Sequence, residues 1–139
     1  MTGFVELNSS RNPVHDDINS HGMLCYVTAA KPVSADELRR FAAELMTEIA
    51  SACITAGAKD VSHVKAFIEH DSGFLHADTV GNPNDVKVEG RDGKPAESFK
   101  LVVNSIIYGL SADVVKQVTE SAVDKTIGMF GFVRTSAEK

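Results

Sequence analysis

The chain has 139 residues, of which 43% are hydrophobic and 24% are charged, a composition that fits one globular domain and excludes an intrinsically disordered chain. Its 14 Lys and Arg residues against 19 Asp and Glu residues give a formal net charge of −5. Because the cations form no basic block, this balance argues against binding to the nucleic-acid backbone and to an anionic membrane surface. We therefore expect neither nucleic acid nor a membrane as a partner.

The N-terminal segment, residues 1–21, is rich in turn-forming residues, with Asn, Ser and Pro concentrated at 8–13. A short strand is expected at Phe4–Leu7. No basic start followed by an apolar run indicates a secretory signal, and no apolar stretch reaches the length of a spanning helix. The only cysteines are Cys25 and Cys53. Together these features predict a cytoplasmic protein with free thiols.

The first regular elements are a strand and a helix. Met23–Ala29 is apolar and contains residues that favour a buried strand. A helix is expected over Ser34–Ala56, because apolar residues recur there at three- and four-residue steps. Ser34 and Glu37 have the spacing of a capping box, and Gly57 suits the position just after the helix.

Two strands, Val61–His70 and Phe74–Val80, are expected to form a hairpin. The residues between them, 71–73, suit a bulged turn in which the glycine takes a positive φ. In that register His76 faces Ile68 across the hairpin. Since a slip of one residue would exchange the two faces, the positions of the histidines depend on this turn.

The C-terminal half adds a short strand at Val86–Glu89 and a long one at Phe99–Tyr108, which we expect at the centre of the sheet because both of its faces carry apolar residues. Ser111 caps a second helix that runs to Ile127. The apolar stretch Met129–Val133 is either a last strand of the sheet or a contact between subunits.

The order strand, helix, strands, helix, strand predicts a single α+β domain. It resembles a ferredoxin-like plait or a related fold, with an antiparallel sheet of about four to six strands and two amphipathic helices on one face. We divide the chain into a turn-rich segment at 1–21, the α+β domain at 22–133 and a polar tail at 134–139. Small sheets of this kind leave a face or an edge open, so we expect a homo-oligomer.

Polar residues that interrupt the apolar strands are candidates for a small-molecule site. Lys65, Asn104 and Tyr108 are predicted to line a pocket, and Glu69 has the strand parity to act with Lys65 as an acid–base pair. The alternative is structural: a hydrogen bond between strands, or a long side chain that reaches the solvent.

A second candidate site is a metal centre built from His15, Asp16, Asp17 and His21, completed by His76 from the hairpin. Imidazole and carboxylate groups bind zinc and other divalent transition metals, and such a metal activates water for hydrolysis or elimination. The spacing matches no known metal motif, and the alternative is a solvated loop.

The sequence contains no phosphate-binding loop, dinucleotide fingerprint, nucleophile elbow or zinc-protease motif. It therefore leaves open whether the protein is an enzyme. We interpret it as a small cytoplasmic domain that self-associates and binds a small ligand or a protein partner. The alternative hypothesis is a metal-assisted hydrolase or lyase that uses the His and Asp ligands of the N-terminal segment.

Overall fold

The computed structural model describes residues 18–82 and 84–135 of the chain, which form six strands and two helices. In chain order these elements are β1 (Ile18–Val33), α1 (Ala35–Thr55), β2 (Asp60–His70), β3 (Gly73–Thr79), β4 (Lys87–Arg91), β5 (Ala96–Tyr108), α2 (Ala112–Met129) and β6 (Val133–Thr135).

All six strands join one antiparallel sheet in the order β4-β3-β2-β5-β1-β6. Strand β5 lies between β2 and β1, which confirms the central position expected for it. The plait is formed by β1, α1, β2, β5, α2 and β6, and the strands β3 and β4 extend the sheet beyond β2. The predicted α+β class with two helices is confirmed.

Both helices begin where local capping chemistry predicts. The side chain of Ser34 accepts a hydrogen bond from the backbone N–H of Glu37 at 3.1 Å. The side chain of Ser111 likewise accepts a hydrogen bond from the backbone N–H of Val114, at 3.2 Å. Each bond satisfies a backbone donor that the first helical turn cannot pair internally. After α1, Gly57 adopts a φ of 107°, the left-handed conformation expected of it.

An aromatic cluster closes the core where the end of the described chain meets α1. Phe41 of α1 packs against Phe99, Phe130 and Phe132, with ring centroids 5.3–5.5 Å apart. Phe132 is only 8% exposed. Within Met129–Val133, Phe132 therefore belongs to the core and Phe130 packs against it, whereas Met129 and Val133 are exposed. Val133 is the first residue of strand β6. The aromatic rings of this stretch pack within the chain, and the subunit contact expected as an alternative stays a prediction for the exposed Met129 and Val133.

Strand β1 is longer than the predicted Met23–Ala29. It begins at Ile18 and so includes the end of the segment expected to be turns, and it continues to Val33. Its pairing with β5 shifts between Thr28 and Val33. Proline is tolerated at such an irregularity because it cannot donate to the ladder, which explains how Pro32 lies within the strand.

The predicted register of the β2–β3 hairpin is wrong by one residue. Phe67, not Ile68, pairs with His76. The cause is Gly73, which begins β3 and has no positive φ. A Cβ atom at Gly73 would collide with the carbonyl oxygen of Arg91. The glycine is therefore required for the close approach of β4, and the turn has one residue fewer than expected.

Two further predictions concern the ends of the chain. Strand β6, Val133–Thr135, contains the first two residues of the predicted polar tail at 134–139. The strand expected at Phe4–Leu7 lies outside the described residues. Within the described residues, no helix is long and apolar enough to cross a membrane.

Candidate functional site

The face of the sheet opposite the helices, here called the open face, carries the candidate site. Alternation along the strands sends one set of side chains into the core and the other set to this face. A central row of paired residues crosses the face from β3 to β1: His76 pairs with Phe67, Phe67 with Val102, and Val102 with Leu24. Leu24 is 54% exposed. The open face thus presents apolar surface at its centre.

A shallow cavity of about 300 Å³, here called the central hollow, lies in the open face. Lys65 of β2 is at its middle, paired with Asp78 of β3 on one side and with Asn104 of β5 on the other. Groups that donate and accept hydrogen bonds therefore stand beside an apolar floor. The side chains that line the hollow on the open face belong to Lys65, Phe67, His76, Asp78, Val102 and Asn104.

The polar side chains of the central hollow retain their hydrogen-bonding capacity. The side chains of Lys65, Asp78 and Asn104 make no hydrogen bond or ion pair with any other residue that the structure describes. The imidazole of His76 is held edge-on against the ring of Phe67, at 4.8 Å between centroids. One fixed aromatic wall and three uncommitted polar groups form an arrangement that can bind a ligand with an apolar body and a polar end.

Of the four predicted pocket residues, the structure brings together Lys65 and Asn104 only. Glu69 is four residues along β2 from Lys65, about 13 Å at the usual rise of a strand, and its Oε1 lies 3.2 Å from Nζ of Lys100. Tyr108 is equally far from Asn104 along β5, and the Lys59 ammonium lies 5.4 Å from the centre of its ring. The proposed acid–base pair of Lys65 and Glu69 is therefore not formed in this geometry.

The predicted metal set is divided by the sheet. His21 faces the helices, where its Nε2 lies 2.8 Å from Oε2 of Glu120, whereas His76 lies on the open face. These two histidines cannot share an ion in this structure. Among the described residues, no group of three or more His, Cys, Asp or Glu side chains is placed to hold a metal. His15, Asp16 and Asp17 lie outside the described residues, and their part of the metal hypothesis stays a prediction.

An ionic cluster that the sequence analysis missed joins three elements on the helix side of the sheet. One carboxylate oxygen of Glu120 on α2 is hydrogen-bonded to Nε2 of His21 on β1, at 2.8 Å. The other accepts a hydrogen bond from Nη1 of Arg134 on β6, at 3.1 Å. The same Nη1 atom lies 2.9 Å from Oδ1 of Asp124. Burial raises the pKa of Glu120, but hydrogen bonds from His21 and Arg134 outweigh it, so this pKa lies below its ordinary value of 4.5.

Both cysteines are buried and free, as the sequence predicts. Burial raises the pKa of the Cys53 thiol to about 11. It also raises the pKa of Cys25, although the nearby Arg134 opposes this effect. Because the thiolate is the nucleophilic form, neither side chain is suited to covalent catalysis at neutral pH.

Comparison with known proteins gives no family for this chain: no family model matches it, and no curated protein is similar to it. Two solved structures match it weakly, the Zn(II)-bound YjiA GTPase from E. coli and a Zn(II)-bound triple mutant of the YjiA GTPase. Each is 16% identical, with a TM-score of 0.39 over 85% of this chain. The chain spans 34% of the length of those proteins, and at this TM-score the likeness carries no argument about function.

Proposed function

We propose that this small α+β domain is a binding protein that self-associates and holds a small ligand in the central hollow. The observation that carries the proposal is a set of polar side chains, Lys65, Asp78 and Asn104, that bond to no other described side chain and surround an apolar floor. They lie on a face of the sheet that neither helix covers. Exposed apolar side chains on the same face, Leu24 and Ile18, support the self-association.

The chemistry of the central hollow defines the ligand. Phe67 and Val102 offer an apolar surface two strands wide, which fits a flat hydrocarbon or aromatic body. Lys65 supplies a cation and Asn104 an amide at one end of that surface. The proposed ligand therefore has an apolar body and an anionic group that binds on the Asn104 side of Lys65, one strand further from the Asp78 carboxylate. A charge-assisted hydrogen bond from Lys65 then adds to the apolar contact.

Anilinonaphthalenesulfonate and its neutral analogue phenylnaphthylamine are matched probes for this proposal, since both share the aromatic body and only the first carries the anion. At protein concentrations low enough for the chain to be monomeric, we expect Lys65→Gln to weaken binding of the sulfonate by about tenfold, equivalent to about 1.4 kcal/mol, and to leave binding of the neutral probe nearly unchanged. Fluorescence titration measures both affinities.

Lys116→Gln is the control for this experiment, because Lys116 is exposed on α2 and remote from the open face. If Lys65→Gln and Lys116→Gln have the same effect on the sulfonate, the central hollow is not its binding site. Asn104→Ala provides a second test, and we expect it to weaken both probes, because it removes part of the wall of the hollow.

A further inference from the structure

We propose that a second copy of this chain covers the open face, related to the first by a two-fold axis that runs along the central row, perpendicular to the strands. The inference builds on the self-association proposed above and names its surface and symmetry. It places Phe67, Val102 and Leu24 of one copy against the same residues of the other, so that the apolar centre of the face is buried.

The residues on either side of the central row are then brought into contact. Two positions away in one direction lie Lys65, Asn104 and Gly22, which pair across β2, β5 and β1 and are here called the lysine row. Two positions away in the other direction lie Glu69, Lys100 and Tyr26, here called the glutamate row. An axis along the central row places the lysine row of each copy on the glutamate row of the other.

The charges of these rows are complementary in this arrangement. Lys65 of one copy faces Glu69 of the second copy, and symmetry repeats the pair, so that each dimer contains two. Lys65 makes no ion pair with a described residue of its own chain. The carboxylate of Glu69, which is 52% exposed, lies 3.2 Å from Lys100 and keeps a second oxygen for another cation. Opposite charges that face each other fix the orientation of an interface.

The shapes of the two rows also fit. Gly22 lies within the ladder between β1 and β5. Among the described residues, a Cβ atom there would meet only the carbonyl oxygen of Val103, at 3.9 Å. A glycine inside a strand weakens it and often marks a place where another group approaches closely. Tyr26 is the residue that the two-fold axis brings over Gly22 of the second copy. Its ring can occupy the space that the glycine leaves.

Strand β4 sets the lateral limit of the interface. The same axis places Lys87 of one copy opposite Arg91 of the other, and Glu89, which pairs with His76, opposite Glu89 of the other; both contacts are repulsive. These residues are on the outermost strand, where the twist of packed sheets separates the two faces, so the repulsion is weak. The contact is therefore centred on β2, β5 and β1.

The dimer also regulates the proposed ligand site. The central hollow contains Lys65 and Val102, both of which the second copy covers in this arrangement. An anionic ligand and Glu69 of the second copy then compete for the same ammonium group. The ligand is expected to favour the monomer, and the dimer to protect the empty hollow from solvent.

Sedimentation equilibrium of the full chain without ligand tests the arrangement. We expect Lys65→Glu and Glu69→Lys each to raise the dissociation constant of the dimer at least about tenfold, because each creates two like-charged pairs. An equal mixture of the two variants should dimerise again. In the mixed dimer, the carboxylate introduced at position 65 faces the ammonium introduced at position 69, and Glu69 of the first variant faces Lys65 of the second.

Lys116→Glu is the matched control, since it makes the same charge change on exposed helix surface. The arrangement is overturned if the unmodified chain stays monomeric at every concentration, or if the mixture of variants does not dimerise. It is also overturned if Glu69→Lys weakens the dimer and Lys65→Glu does not. That result would favour an axis parallel to the strands, which puts Glu69 on Lys100 of the second copy.

Leu24→Arg separates this inference from the ligand proposal. Leu24 is on the central row but does not line the central hollow, so the variant should be monomeric with an intact site. We expect it to bind anilinonaphthalenesulfonate at least as tightly as the unmodified protein. Loss of the dimer with retained binding supports both proposals, whereas loss of binding in this monomer contradicts the ligand site alone.

Discussion

A pair of hydroxyl groups inside the core links β5 to α2. Thr119 donates a hydrogen bond to Ser105 at 3.0 Å, and both side chains are fully buried. Two polar side chains among apolar neighbours are tolerated because each satisfies the other. Removing one of them leaves the other without this partner, and that costs more than removing both.

We expect Thr119→Val to lower the free energy of unfolding by about 1–2 kcal/mol, because Ser105 then loses its donor in a buried environment. Ser105→Ala added to Thr119→Val should cost less than the sum of the two single changes. Urea denaturation of the four proteins completes a double-mutant cycle. Additive effects would show that the hydroxyl groups do not stabilise each other.

At the scale of elements, the ionic cluster around Glu120 joins β1, α2 and β6, which are far apart in sequence. It fixes the edge of the sheet to the second helix, where strand β6 pairs with β1 over only three residue pairs. A carboxyl group whose pKa is lowered in the folded state stabilises the protein above its unfolded-state pKa, and this contribution is lost as the pH falls.

Glu120→Gln should therefore destabilise the protein at neutral pH, and the difference from the unmodified chain should shrink as the pH falls below the ordinary Glu value of 4.5. Urea denaturation over a series of pH values measures this. Glu97→Gln is the control, because Glu97 is exposed on β5. A stability difference that does not change with pH would show that the ion pairs of Glu120 contribute nothing to folding.

The two helices were predictable because their signals are local. Ser34 and Ser111 mark their first turns, and the apolar periodicity that follows needs no knowledge of the rest of the chain. The register of the β2–β3 hairpin was not predictable from local signals. A glycine is required at position 73 because β4 approaches closely there, and no local pattern reveals that approach. That error of one residue moved His76 to the wrong face of the hairpin.

The candidate site was also predictable only where local signals decide the outcome. Strand parity grouped Lys65 with Glu69 and Asn104 with Tyr108, each pair within its own strand. What brings Lys65 and Asn104 together is their pairing across β2 and β5. Parity says nothing about position along a strand. The prediction therefore included Glu69 and Tyr108, although both lie at a distance from the hollow. Asp78 joined the site only once the true register was known, since the residue opposite Lys65 depends on the turn.

At the scale of the whole molecule, one continuous core unites the sheet and both helices. Cys25 of β1 and Cys53 of α1 belong to this core, although they lie on different elements and in different layers. A domain of this size with a single core is expected to unfold in one cooperative step. The two thiols therefore report on whether β1 and the end of α1 open together.

Native-state labelling with a disulfide reagent tests this cooperativity, with Cys25→Ala and Cys53→Ala used to observe one thiol at a time. We expect both thiols to react only through global opening, because each is buried and burial raises the pKa of each thiol, that of Cys53 to about 11. Their labelling rates should then rise with urea at the same slope, equal to that of equilibrium unfolding. A much shallower slope for Cys25 alone would mean that β1 and β6 separate from the sheet before the helices unfold, and the single core would then be two units of different stability.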